Sequence, residues 1–208
     1  MRLAGSLYRV CTWIYNFALL NALFLIYCIP IVTIFPALSA MFGIVREWVN
    51  KNEPPVFSTF NRLFKENFKQ CIFVGVFITV AAVCLLGDFF LLTKLETSLN
   101  LLIFSSAAFM SFCFMISILY IFPLMVHCHN TFKELITNSF KFGLYKFHIT
   151  ILNFVILIGW LLFSLRYSFF LVFFFSSVSS FITYWFTSQK LTGLIIKREK
   201  ETNSISII

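Results

Sequence analysis

VCTWIYNFALLNALFLIYCIPIVTIFPALSAMFGIV, residues 10–45, contains no Asp, Glu, Lys or Arg. As one straight helix it would rise about 54 Å, far beyond the roughly 30 Å hydrocarbon core of a bilayer. A break is required, and Pro30 and Pro36 bracket it: proline lacks a backbone donor and disfavours helical geometry in the residue before it. The stretch therefore predicts a first span near 10–29, a bend across Pro30, Thr33 and Pro36, and a short helix over 37–49. That short helix either returns across the membrane or dips in as a re-entrant segment.

Outward from this stretch the pattern repeats. Residues 70–87, 97–132, 147–165 and 167–189 are also free of Asp, Glu, Lys and Arg, and they predict spans at 71–92, 99–126, 148–165 and 168–187. The chain is 60% hydrophobic and 12% charged, against roughly 25% charged in soluble domains. A transmembrane barrel would show short alternating strands, which runs this continuous exclude. The predicted class is all-α, a polytopic transmembrane helical bundle with five full spans and one short or re-entrant segment, in a single domain over 1–189. Residues 190–208 predict a flexible basic and polar tail.

Basic residues crowd into alternate connectors. With both termini in the cytoplasm, only Lys94 and Arg166 of the 16 Lys and Arg residues lie outside, as the positive-inside rule requires. The net charge of +8 flanks apolar spans instead of forming a folded basic face, so its partner is anionic inner-leaflet lipid and not nucleic acid. Trp13, Trp48 and Trp185 fall near cytoplasmic ends, where indole rings anchor at headgroups. The first apolar run is too long for a signal-peptide core, so it is expected to be retained. Six scattered cysteines without a CxxC spacing predict neither a disulfide framework nor zinc.

Two connectors share a pattern. Thr59-Phe60-Asn61-Arg62-Leu63-Phe64-Lys65-Glu66-Asn67-Phe68-Lys69 and Thr131-Phe132-Lys133-Glu134-Leu135-Ile136-Thr137-Asn138-Ser139-Phe140-Lys141 keep Thr, Phe, Leu, Phe and Lys in register. Each precedes an inward-to-outward span, which suggests a parallel internal repeat. Phe60, Leu63, Phe64 and Phe68 recur at helical spacing, as do Phe132, Leu135, Ile136 and Phe140. The pattern predicts two cytoplasmic interfacial amphipathic helices, with apolar stripes on lipid or on the bundle and Lys65, Lys69 and Lys141 on the other face. These residues are the candidate partner-docking set.

Chemistry-bearing residues are sparse. Asp88 is the acid within an apolar run and is a functional suspect by position, or an interfacial residue near the outer end of its span. Asn16, Asn21 and Asn153 lie inside predicted spans, where amides bond across helices; with Asp88 they are the candidate polar bundle site. The break at Thr33 and Pro36 is either a proline turn or an exposed backbone site of the kind transporters use. His127 and His129 flank Cys128, but alternate helix residues diverge by about 200° and cannot easily share an ion. No P-loop, GxSxG or HExxH is present, so neither an enzyme nor a cofactor is expected.

Asn21, the run Pro30-Ile31-Val32-Thr33-Ile34-Phe35-Pro36-Ala37 with Ala40, and Phe60 followed by Phe64-Lys65-Glu66-Asn67-Phe68-Lys69 resemble the YesL-like family of bacterial membrane proteins of unknown function. The motifs cover the first third of the chain, and hydropathy and length extend the likeness. Members of that family usually carry Gly before the second proline, where this chain has Phe35. The resemblance implies a Gram-positive plasma membrane and association with sugar-uptake transporters and their membrane-bound sensor kinases. It supplies no catalytic or ligand-binding residues.

Overall fold

A computed structural model of the chain describes residues 2–92, 100–127 and 132–205; the turn expected at Lys94–Glu96 and the Cys128–His129 pair lie outside them. The described residues form α1 (Arg2–Tyr27), a 3-10 turn (Ile31–Thr33), α2 (Ile34–Val49), α3 (Val56–Leu92), α4 (Asn100–His127), α5 (Phe132–Leu144), α6 (Phe147–Arg166), α7 (Ser168–Phe173) and α8 (Phe175–Ile205). Five helical segments are long and apolar enough to cross a membrane: Tyr8–Tyr27, Ile31–Val49, Val56–Asp88, Phe104–His127 and Phe147–Arg166. The multi-pass all-α class follows from them.

The break falls where the prolines require it. Thr33 Oγ1 lies 2.5 Å from the Tyr27 carbonyl and 2.6 Å from that of Pro30, so its hydroxyl closes the end of α1, where carbonyls lack helical donors. Pro36 enters within the first turn of α2, where its missing N–H would have no partner in any case. The break is thus a closed turn. The segment after it is the most buried of the five, with 56% of its apolar window inside the bundle. Ala37, Ala40, Met41, Ile44 and Val45 are almost fully buried, and α2 packs on α1, α3, α4 and α8.

Two expectations change in the structure. The connector at 59–69 and the span after it form one helix, α3, because nothing between Val56 and Val74 breaks the helical repeat. Leu63 closes on Gly43 of α2, whose absent Cβ would lie 2.6 Å from the leucine Cδ1. The second connector does form its own helix, α5, ended by Lys146 in a left-handed conformation, φ 47°. It runs lengthwise along α4, with Phe142 against Tyr120 (ring centroids 5.3 Å apart) and Gly143 against Ile116. Of the two alternatives for the apolar stripes, lipid or bundle, the contacts are with the bundle: the first connector packs on α2 and the second on α4.

The last span also differs. Residues 168–187 do not make one straight helix, since α7 ends at Phe174 (φ −134°, ψ −16°) and α8 begins at Phe175. From there α8 continues to Ile205, so residues 190–205 of the expected flexible tail are helical. Ser177, Ser180, Thr183, Thr187 and Lys190 are all buried along α8. Their spacing of three or four residues makes one inward polar face, which lowers the hydropathy of a helix that is nonetheless interior. Trp13, Phe17, Trp48 and Phe181 cluster where α1, α2 and α8 meet, with centroids 5.0–6.4 Å apart. Trp48 is therefore a core residue, while Trp185 is exposed.

Candidate functional site

The densest polar cluster in the described bundle centres on Lys190, whose side chain is fully buried. Its Nζ donates to Thr150 Oγ1 (2.6 Å), Tyr120 Oη (3.0 Å) and the Phe142 carbonyl (3.3 Å). Tyr120 Oη donates to Thr150 Oγ1 at 3.1 Å, and Thr150 donates to the Gly143 carbonyl at 2.7 Å. An ammonium has three donors, and all three are used. Phe142 and Gly143 belong to the last turn of α5, where carbonyls have no intrahelical partner and a cation is favoured. Lys190 and Thr150 therefore cap α5 and join it to α4, α6 and α8.

The amine also lies 4.5 Å from the Tyr120 ring centroid and 5.5 Å from that of Phe142, within cation–π range. Burial, and behind it the charge of Lys146, push the amine down to about 8. Asn153 is fully buried one turn beyond Thr150, beside the Tyr120 hydroxyl, but neither end of its amide makes a hydrogen bond of ordinary geometry. Sequence reasoning missed this cluster because Lys190 follows an apolar run and looks like one more inner-side charge. The signal that could have found it is the Ser177-Ser180-Thr183-Thr187-Lys190 spacing.

The four residues grouped as a polar bundle site occupy separate places. Asn21 is buried at the α7–α8 junction, where its Nδ2 donates to the Val172 carbonyl (2.6 Å) and its Oδ1 accepts from the Ser176 and Ser177 amides (3.2 and 3.3 Å). It is interhelical glue, and it satisfies backbone groups freed by the break. Asn21→Ala is expected to cost about 2 kcal/mol, since it strands buried backbone groups, with Asn21→Asp between it and the parent in detergent thermal-unfolding scans. Asn16 is half-buried beside Tyr8, Arg9, Thr12, Trp13, Trp48 and Glu53 in a small recess. Asn153 belongs to the Lys190 cluster. Asp88 is exposed at one end of a groove of about 350 Å³ between α3 and α4.

The docking set divides by face. Phe60 and Leu135 are fully buried and Leu63 is 8% exposed; Phe64, Phe68 and Phe140 are half-buried, and Lys65, Lys69 and Lys141 are exposed. Phe132 opens α5, and its side chain lies outside the described ones. Equivalent positions of the two connectors, 63 with 135, 64 with 136, 68 with 140 and 69 with 141, share their degree of burial. The aromatic stripe of the first connector packs inward, with the Tyr27 ring inclined against Phe60 and edge-on to Phe64 at centroid distances of 5.2 and 4.8 Å. What remains outside is polar and net basic, Arg62, Lys65, Lys69, Lys133 and Lys141 against Glu66 and Glu134.

The helix C-termini carry a second arrangement. An Arg46 guanidinium N–H donates to the Val126 carbonyl near the end of α4, Arg46 pairs with Glu47 at 2.9 Å, and His127 Nδ1 lies 3.2 Å from Tyr184 Oη. These contacts fasten α2, α4 and α8 together. Among the described residues no three His, Cys, Asp or Glu side chains converge as metal ligands.

Comparison with known proteins follows the same lines. A family model described as "Protein of unknown function, DUF624" matches residues 17–89. The chain is 29% identical to "Uncharacterized protein YesL" of Bacillus subtilis (strain 168) over 95% of each chain. It is 31% identical to "Uncharacterized protein YteU" of the same organism over 59% of this chain and 57% of that one. With "Uncharacterized protein YesV", also from that strain, identity is 24% over 66% and 68%. No solved structure matches the chain.

Proposed function

From the premise that this chain is a YesL-like multi-pass helical membrane protein, we propose that it is a non-enzymatic accessory component of carbohydrate uptake, seated in the bacterial plasma membrane with both termini cytoplasmic. It docks sugar-transporter subunits through its basic cytoplasmic surface. The observation that carries the docking role is the division of the two connectors: apolar sides locked into the bundle at Phe60, Leu63 and Leu135, with Lys65, Lys69 and Lys141 left exposed. With the stripe largely taken up by the bundle, the outward face of the two connectors is polar, with more basic than acidic side chains. Anionic headgroups and an acidic partner surface are the complements of such a face. The sugar link rests on the family resemblance.

Charge reversal tests the reading. Lys65→Glu with Lys69→Glu, or Lys141→Glu, is expected to lower recovery of sugar-transporter subunits at least fivefold after detergent purification from the native host, with membrane insertion and helicity unchanged. Undiminished recovery would overturn the docking role. Recovery of a sensor kinase instead, with kinase output altered by the same variants, would assign the surface to a regulatory subunit.

A further inference from the structure

The outer lengths of α3 and α4 leave a groove that nothing among the described residues fills. It runs from Phe77 and Ile121 at one end to Asp88 and Met110 at the other, three helical turns or about 16 Å. Ala81, Cys84, Cys113 and Ser117 lie along it, side chains small enough to let another backbone come close. Around it Val76, Val80, Val83, Leu86, Phe109 and Met115 are exposed. The occupant is apolar over most of its length.

Asp88 specifies the rest. It follows a charge-free run from Gln70 to Gly87, it is exposed at the groove end, and it takes part in neither the Arg46–Glu47 nor the Arg62–Glu66 ion pair. A carboxylate bordering hydrocarbon calls for a cation. A second copy laying the same groove against this one would bring two Asp88 carboxylates together, which like charges oppose. We infer that the α3–α4 groove receives a single transmembrane helix of a partner protein, with one Lys or Arg placed to meet Asp88. The inference rests on the accessory-subunit reading and adds to it a contact inside the membrane, separate from the lysine surface.

The groove carries its own reporters, since Cys84 and Cys113 are free thiols. The probe is a synthetic 23-residue Leu/Ala helix with one cysteine near its middle and one lysine near the end that meets Asp88, co-reconstituted with the full chain in nanodiscs and mildly oxidised. The lysine probe is expected to be trapped on Cys84 or Cys113 at least tenfold more than the same helix with leucine in place of lysine. Asp88→Asn should reduce trapping to the leucine level, and Cys84→Ser with Cys113→Ser should abolish it. Equal trapping of lysine and leucine probes in the parent chain would overturn the inference, as would a Cys84–Cys84 dimer formed without probe or a groove that traps neither helix. A trapped lysine probe alongside unchanged transporter recovery from the Lys65, Lys69 and Lys141 variants would keep the groove and remove the lysine docking surface.

Discussion

Lys190→Ala lowers the stability of the bundle by about 3 kcal/mol, the combined effect of a cavity where a long side chain was buried and of donors lost from buried acceptors. The amine serves Tyr120, Thr150 and the Phe142 carbonyl at once, and Thr150 and Tyr120 keep only their bonds to Gly143 and to each other. The Phe142 carbonyl is left bare. Lys190→Met keeps most of the volume and removes a buried charge that is itself costly to desolvate, so its loss is smaller, about 1 kcal/mol. Thermal unfolding in detergent ranks the three chains, and hydrogen exchange shows α5 opening first in the alanine variant. The amine, with a folded value of about 8 against an ordinary 10.5, makes the folded chain hold fewer protons than the unfolded one between those limits. Stability from this group therefore rises with pH across that window and is level below it. Lys190→Met lacks the rise, and an identical pH slope in parent and variant would refute the assignment.

The second large effect joins Phe35 to Gly75. A Cβ added at Gly75 would collide with the Phe35 ring, which also lies nearly parallel to Phe122, 6.3 Å away. Gly75→Leu forces that ring out and costs about 3 kcal/mol through overpacking. Phe35→Ala leaves a void of ring size and costs about 3 kcal/mol. The double variant refills the void from the other side, and the pair is expected to recover about 2 kcal/mol of the summed loss, a coupling typical of residues in direct contact. Additive losses in a double-mutant cycle would show that the two positions do not share one space.

Charge distribution made the helical class and most spans legible before any coordinates, because hydrocarbon leaves few alternatives for a run such as residues 10–45. A break near Pro30 was legible for the same reason, but its far edge was not: α2 begins at Ile34, so Pro36 lies in the first turn of the helix and not at the edge of the bend. The α8 interior was not. Residues 168–187 read as a span, but hydropathy does not show that Ser177, Ser180, Thr183 and Thr187 form one inward polar face continuing to Lys190; only their angular spacing does. Lys190 shows the limit most clearly, since one residue type marks both a headgroup contact and a helix cap. The merging of the first connector with its span was legible in principle, because no Pro or Gly interrupts residues 56–74. The candidate polar residues were recognised one by one, but their partners come from distant segments, Asn21 with Ser176 and Asn153 beside Tyr120, and spacing along the chain carries no record of that.

The unbroken run of α3 has a mechanical consequence. Lys65 and Asp88 are carried on one rod, about 35 Å apart at 1.5 Å per residue. A hydrogen-bonded helix resists bending more than a loop does, so its two ends move together about the point where Phe35 packs on Gly75. With the pivot at Gly75, 13 residues or about 20 Å from Asp88, a swing of about 5° moves the carboxylate end by about 2 Å, comparable to the small helix shifts that proteins amplify into switching.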